Sequence, residues 1–289
     1  MSDPGSQYLS FDPNPRVPVE LPPAGTCDCQ FHISGDDRYK TREGAAYKSQ
    51  GATYEAARKM HRTLGIERGI IVQSTVYATD HTIVVDALKD LGPSYRAIGV
   101  IDDTVSDAEL QRLHEAGVRG VRFSFRARLG LLPSTDLFLR SAARIKELGW
   151  ILKMNMPEDG VGSLVDTIKG LKDQPVVIDH LARVRGIDDP SLRKTIDLLQ
   201  QGNVWLMMSN GHRVSTWPAC NECVPVGKAF IEANPERLIW GTDWPHPLHS
   251  EFMPNDADLL ELFYRYTDGD LALRRKILVD NPTALFFSD

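Results

Sequence analysis

Three short runs in this chain end an apolar stretch on residues that can move protons. Cys27-Asp28-Cys29-Gln30-Phe31-His32 closes on a histidine, and Val176-Val-Ile-Asp179-His180 on an Asp-His pair. Ile239-Trp-Gly-Thr-Asp243-Trp-Pro-His246 closes on a carboxylate with a histidine just beyond it. Imidazole and carboxylate gathered in one pocket can serve as general base, oxyanion donor or metal ligand. A single histidine after a strand is ordinarily a hydrogen-bonded structural group, so His32, His180 and Asp243 gain meaning only if the fold brings their three strand ends together. Alternation along the first run predicts that Asp28, Gln30 and His32 share one face, opposite Cys27 and Cys29.

Arginines supply the complementary charge. Gly120-Val-Arg122-Phe-Ser-Phe-Arg126-Ala-Arg128 begins as a strand and passes into a loop, which directs Arg122 and Arg128 toward the same end of the sheet. Arg213 follows the run Ser209-Asn-Gly-His212. Three guanidiniums around one pocket would hold a dicarboxylate through bidentate hydrogen bonds; the alternative is a solvated loop with weak surface ion pairs. His61, His81 and His114 fall in or at the start of helical stretches and read as surface residues.

Positioning these groups requires elements that alternate. Strand-like runs occur at 26–32, 69–73, 96–101, 120–125, 150–155, 176–179, 204–208 and 238–241. Helical patterns intervene at 54–64, 83–91, 107–116, 137–148, 164–171, 191–200 and 225–233, and two more, 256–266 and 271–278, follow the last strand. Unbroken βα alternation predicts an α/β fold, a (β/α)8 TIM barrel formed as one domain over 26–289, whose reacting groups collect at the carboxyl ends of the strands. An open doubly wound sheet is the structural alternative, but no Gly-x-Gly-x-x-Gly or Walker-type loop follows any strand. Residues 1–25 carry six prolines and read as an extended arm lying on the body.

Composition narrows the function. With 289 residues, 42% hydrophobic, the chain can bury one large core, and a formal net charge of -6 argues against wholesale nucleic-acid binding. No apolar run approaches a membrane span and no secretory leader is evident, so a cytoplasmic location is expected. Cys27-x-Cys29 and Cys220-x-x-Cys223 could suggest zinc or disulfides elsewhere; reduced thiols in a strand are the simpler reading.

At these residues the sequence resembles the amidohydrolase superfamily. Within it the likeness is to the branch of 2-pyrone-4,6-dicarboxylate lactonase, 4-sulfomuconolactone hydrolase and D-galactarolactone isomerase. The likeness runs from about Pro23 to Phe286, through Gly25-Thr-Cys-Asp-Cys-Gln-Phe-His, Val72-Gln-Ser-Thr, Gly117-Val-Arg-Gly-Val-Arg-Phe, Val177-Ile-Asp-His, Trp240-Gly-Thr-Asp-Trp-Pro-His and Asn281-Pro. The departures are specific. Where the superfamily carries His-x-His on the first strand, this chain has Gln30-x-His32, and an amide is a poor transition-metal ligand. No bridging lysine or glutamate closes the fourth strand, the fifth ends in Asn155, and Lys153 falls in the barrel interior. His32, His180 and Asp243 could still hold one zinc, but the lactonase and isomerase of this branch are regarded as working without metal, so no cofactor is expected.

What the resemblance implies is a hydrolase acting on a small anionic lactone, carboxylated or sulfonated, in the catabolism of aromatic or sugar acids. Asp243 would deprotonate water, His32 and His180 would donate to the oxyanion, and Gln30 would orient the ring. Arg122, Arg128 and Arg213 would hold the substrate's anionic groups, with Thr75, Tyr77, Asn155 and His246 completing the binding set. The Gln-x-His pattern looks like the isomerase, whereas Asp243 stands where that relative has asparagine and favours hydrolysis. A lactone isomerase or decarboxylase on the same barrel, and a barrel that binds an anion without turnover, are the alternatives. The expected partner is the small molecule, with no nucleic acid and no membrane; a homo-oligomer is compatible with the sequence.

Overall fold

A computed structural model of the chain describes residues 8–47 and 51–288. The first seven residues of the expected arm, Pro4 among them, lie outside the described residues. The rest of the arm runs over the body: Leu9 N donates to His249 O at 2.7 Å, Phe11 packs edge-on against Trp244, and Arg16 pairs with Asp258 and Glu261.

Eight strands form one parallel sheet in sequential order: β1 (Cys27–Phe31), β2 (Arg68–Val72), β3 (Tyr95–Gly99), β4 (Val118–Ser124), β5 (Ile151–Asn155), β6 (Val176–Ile178), β7 (Val204–Met207) and β8 (Leu238–Ile239). Each predicted strand is found, and the sheet curls into a nearly closed (β/α)8 barrel. Its seam joins β1 to the segment after β8, where Cys29 N donates to Trp240 O, Asp243 N to Gln30 O and His32 N to Trp244 O, all within 2.9 Å. Gly241 is required there, because a Cβ would lie 2.6 Å from Gln30 N.

The strands read as continuous apolar runs because both faces are covered. One face fills the barrel with Cys27, Cys29, Ile70, Val72, Ile98, Ile151 and their neighbours, and all four cysteines are free thiols. The other packs under α1 (Tyr54–Leu64), α2 (Thr82–Leu91), α3 (Asp107–Glu115), α4 (Thr135–Lys146), α5 (Val165–Lys169), α6 (Pro190–Leu199), α7 (Cys223–Ala233) and α8 (Asp256–Tyr266). Helix α1 shows how the sequence sets such an element. Thr53 caps its start by accepting from Ala56 N, Gly65 ends it at φ 77°, and the spacing of Ala57, Met60, His61 and Leu64 buries one stripe.

Two expectations need correction. His61 and His81 are buried rather than on the surface, His61 against Asp28 and Tyr95, and His81 against Val100 O. Strict alternation also fails in β1. Asp28 faces Gly69 and Phe31 faces Ile71, so β1 spends one more residue than β2 over the same span, a β-bulge. The bulge separates Asp28 from the pair that follows it. Asp28 turns outward to His61 and to Thr242, whose N and Oγ1 both donate to it, while Gln30 and His32 turn to the barrel mouth.

Candidate active site

The mouth is built where three strand ends turn sharply. His180, Asn210 and Asp243, following β6, β7 and β8, all have left-handed backbone (φ 56°, 60° and 63°), a conformation costing about 1–2 kcal/mol for each non-glycine residue. These turns project their side chains onto a common point. Asp243 Oδ1 accepts from Gln30 Nε2 at 2.7 Å and lies 3.3 Å from His32 Nε2 and 3.8 Å from His180 Nε2; Oδ2 accepts from Asn210 Nδ2 at 2.7 Å.

Protonation follows from these contacts. His32 Nδ1 is 2.6 Å from Val72 O, which can only accept, so Nδ1 carries a proton and Nε2 faces the carboxylate. His180 Nδ1 lies 2.8 Å from Ser209 Oγ and 3.1 Å from Asn210 Nδ2, and its Nε2 lies 3.3 Å from Gln30 Nε2, so an amide N–H faces each ring nitrogen. Burial pushes the His180 imidazole down to about 3, Asp243 and Asp179 opposing, so it is neutral at physiological pH. Burial works against ionisation of Asp243 too, but the hydrogen bond with His32 and the charge of Arg213 hold the carboxyl well below the usual carboxylate range.

Beneath this cluster Asp179 is wholly buried between two cations, its Oδ1 2.6 Å from Lys153 Nζ and its Oδ2 2.8 Å from Arg122 Nε. Around it a pocket with about 40 Å3 of free space is lined by His32, Thr75, Arg122, Arg128, Asn155, His180, Arg213 and Asp243. Of the expected residues, Gln30 is fully buried against Asp243 and is not among the lining residues. Two more are not brought in. Tyr77 lines an adjoining cleft of about 350 Å3, which shares His32, Tyr47 and Ser74 with the pocket but not Asp243, His180 or the arginines. His246 is fully buried behind the mouth, its Nε2 2.9 Å from Asp256 Oδ1 at the start of α8, and cannot touch a ligand there.

Sequence reasoning passed over other contributors. Arg126, Tyr47 and Asn210 also line the pocket. Arg126 and Arg183 both pair with Glu158, and Arg128 lies 3.8 Å from it. Burial pushes Arg213 down to about 10 and the Tyr47 phenol up to about 12, so at neutral pH both stay protonated donors. Four guanidiniums therefore line the pocket against the single carboxylate of Asp243. Gln30 Oε1, Asn155 Oδ1, Asn210 Oδ1 and Arg213 Nε are buried with no protein partner, each costing about 1–3 kcal/mol unless a polar group reaches it. The arrangement is a cationic cup with a carboxylate among its lining groups.

His32, His180 and Asp243 are the side chains at the mouth that could ligate a metal ion, and Gln30 Nε2, an N–H donor, stands 2.7 Å from Asp243 Oδ1 and 3.3 Å from His180 Nε2. Among the described residues no group of three or more His, Cys, Asp or Glu side chains is arranged to hold one.

Residues 27–287 match the amidohydrolase family model, which is nearly the whole barrel. The chain belongs to the amidohydrolase family. Among its family relatives, 2-pyrone-4,6-dicarboxylate hydrolase of Comamonas testosteroni is 32% identical, over 98% of this chain and 96% of that protein. A 4-sulfomuconolactone hydrolase of Rhizobium radiobacter is 34% identical over 91% and 90%. D-galactarolactone isomerase of Agrobacterium fabrum is 27% identical over 95% and 93%. A crystal structure from Acinetobacter baumannii, named as a probable 2-pyrone-4,6-dicarboxylic acid hydrolase with citric acid bound, superposes with a TM-score of 0.80 at 26% identity, over 91% and 100% of the two chains. The amidohydrolase barrel is thus established from both sequence and shape. No helix among the described residues is long and apolar enough to cross a membrane.

Proposed function

We propose that this amidohydrolase opens a small anionic lactone, using Asp243 to activate water and no metal ion. The observation that carries the reading is the buried, ionised Asp243 set between two imidazoles under a ring of arginines. Relatives above 30% identity named as lactone hydrolases support the reaction class, and the solved relative holding citric acid supports an anionic ligand.

In this reaction Asp243 accepts a proton as the water oxygen bonds to the lactone carbonyl carbon. The charge formed on the carbonyl oxygen is met by the arginines and by His180 in the tautomer protonated at Nε2. His32 donates from Nε2 only when its ring carries both protons, since Nδ1 is committed to Val72. Collapse breaks the ring C–O bond, and the proton on Asp243 passes to the leaving oxygen, giving a hydroxy acid. The contacts that keep Asp243 ionised also lower its basicity; stabilisation of the developing anion by His180 and the arginines offsets this. Arg122, Arg128 and Arg213 fix the substrate's carboxylates or sulfonate, with Thr75 and Asn155 on the wall.

The deciding experiment is turnover of γ- and δ-lactones bearing carboxylates or a sulfonate by Asp243→Asn, with and without 1,10-phenanthroline. Loss of the base should lower kcat by about 10²–10⁴-fold with little change in KM, and chelator should leave the parent rate intact. An Asn variant at the parent rate rejects the base assignment, and inactivation by chelator rejects the metal-free one. The isomerase reading, which the Gln30-x-His32 pattern favours, predicts a new lactone with no net release of acid.

A further inference from the structure

We infer that the lactone accepted here carries an apolar substituent of about the bulk of a benzene ring, seated in a side cavity at the ends of β3 and β4. The inference rests on the reading of the mouth as an anionic-lactone site and names the substrate class more closely. A cavity of about 150 Å3 opens beside the catalytic pocket and shares Thr75 and Arg122 with it. A ligand whose carboxylate sits on Arg122 therefore has the cavity within reach.

The walls fix the chemistry of what enters. Val100 and Ile101 follow β3 and Phe123 is the last residue but one of β4, all three buried, and together they make an apolar floor. Leu131, Leu132 and Pro133, in the loop before α4, make the rim, and Leu132 is 57% exposed at the lip. Thr79, Asp102 and Ser124 are the further polar members of the lining, beside Thr75 and Arg122. An aliphatic and aromatic lining beside a few fixed polar groups is the make-up of a pocket for an amphiphilic small molecule. The volume selects its size, because an engineered cavity of about 150 Å3 lined by Leu, Ile and Phe binds benzene. An exposed leucine at the lip would cover the entering group and lose its own contact with water.

The test is binding of succinate and phenylsuccinate to the whole chain by calorimetry. The two are dicarboxylates alike except for the ring. Each methylene-sized group buried contributes about a fourfold gain, so a partly covered phenyl should tighten binding about 10–100-fold. In Leu131→Trp, which fills the cavity, and in Leu132→Asp, a change at an exposed position that the fold tolerates, the ratio between the two ligands should fall toward one. Equal affinity of the parent for both diacids overturns the side cavity while leaving the anion site standing, as does a ratio that survives both substitutions. Failure of either diacid to bind at millimolar concentration overturns the anion site itself, and the side cavity with it.

Discussion

The charge arrangement under the pocket makes a demanding prediction for Asp179→Asn. The side chains keep the same shape, so packing is preserved, but Lys153 and Arg122 lose the carboxylate that lies 2.6 and 2.8 Å from them. Lys153 and Asp179 have no exposed surface, so water cannot replace the lost partner. Leaving a buried charge unpaired costs about 3–5 kcal/mol, which for a barrel of this size is a fall of roughly 10 °C in Tm. The pH dependence gives the mechanism away. Burial already lowers the Lys153 ammonium, with Asp179 acting to raise it, so removing Asp179 lowers it further. Between that depressed value and the ordinary value near 10.4, the unfolded chain binds more protons than the folded one, so stability of the variant rises with pH across that window. Urea unfolding at pH 6.5 and pH 9 should show a deficit that shrinks at the higher pH, while Asp136→Asn, at an exposed position, should stay within about 0.5 kcal/mol of the parent. A deficit under about 1 kcal/mol at both pH values would refute the argument that this triad is a fully desolvated charge cluster.

Other consequences are open to direct measurement. Arg213→Ala should cost about 2–5 kcal/mol of substrate binding, read as a rise in KM of roughly 30-fold or more with a far smaller change in kcat. Asp28→Ala removes the acceptor of Gln30 N, Thr242 N, Thr242 Oγ1 and His61, and should lower unfolding free energy by about 2–4 kcal/mol while also reducing kcat, because both ends of the seam carry site residues. Burial lowers His180 and His249 to about 3, so between that value and the ordinary 6.5 the unfolded state takes up more protons; stability should fall as pH falls from 6.5 toward 3, measured by urea unfolding at pH 7, 5.5 and 4.5. Glu158→Gln removes the carboxylate shared by Arg126 and Arg183 and should tighten inhibition by inorganic sulfate several-fold, read from the inhibition constant at fixed ionic strength.

How much of this was legible in the sequence depends on whether side-chain direction follows from local spacing. The eight strands and the convergence of His32, His180 and Asp243 were legible because the three apolar runs that carry them end on polar residues, and a closed barrel leaves such ends one place to meet. Arg122 was legible for the same reason, as an inward position of β4. His246 was not, since its place behind the mouth depends on Asp256, ten residues on at the head of a helix. Tyr77, two residues on from Thr75 in a short 3-10 helix, illustrates the limit in small: Thr75 lines the pocket and Tyr77 the cleft beside it.

The least legible feature is the one on which the site depends most. A strand with strict alternation would put Gln30 on the same side as Asp28, facing His61 and the helix layer, and Asp243 would lose its 2.7 Å donor. The extra residue between Asp28 and Phe31 breaks that alternation, so one strand can supply an outward carboxylate that locks the seam and an inward amide that holds the reacting carboxylate. Nothing in the spacing of Cys27 to His32 announces the bulge. It follows from pairing on both flanks, where Gly69 and Ile71 of β2 fix the register from one side and Trp240 and Trp244 from the other. The left-handed turns at His180, Asn210 and Asp243 complete the same logic, since each adds a local cost that only a ring of neighbours can sustain. The site's precision is therefore a property of the closed barrel rather than of any one motif, and a substitution that loosens the β1–β8 seam should reach the chemistry without touching a ligand.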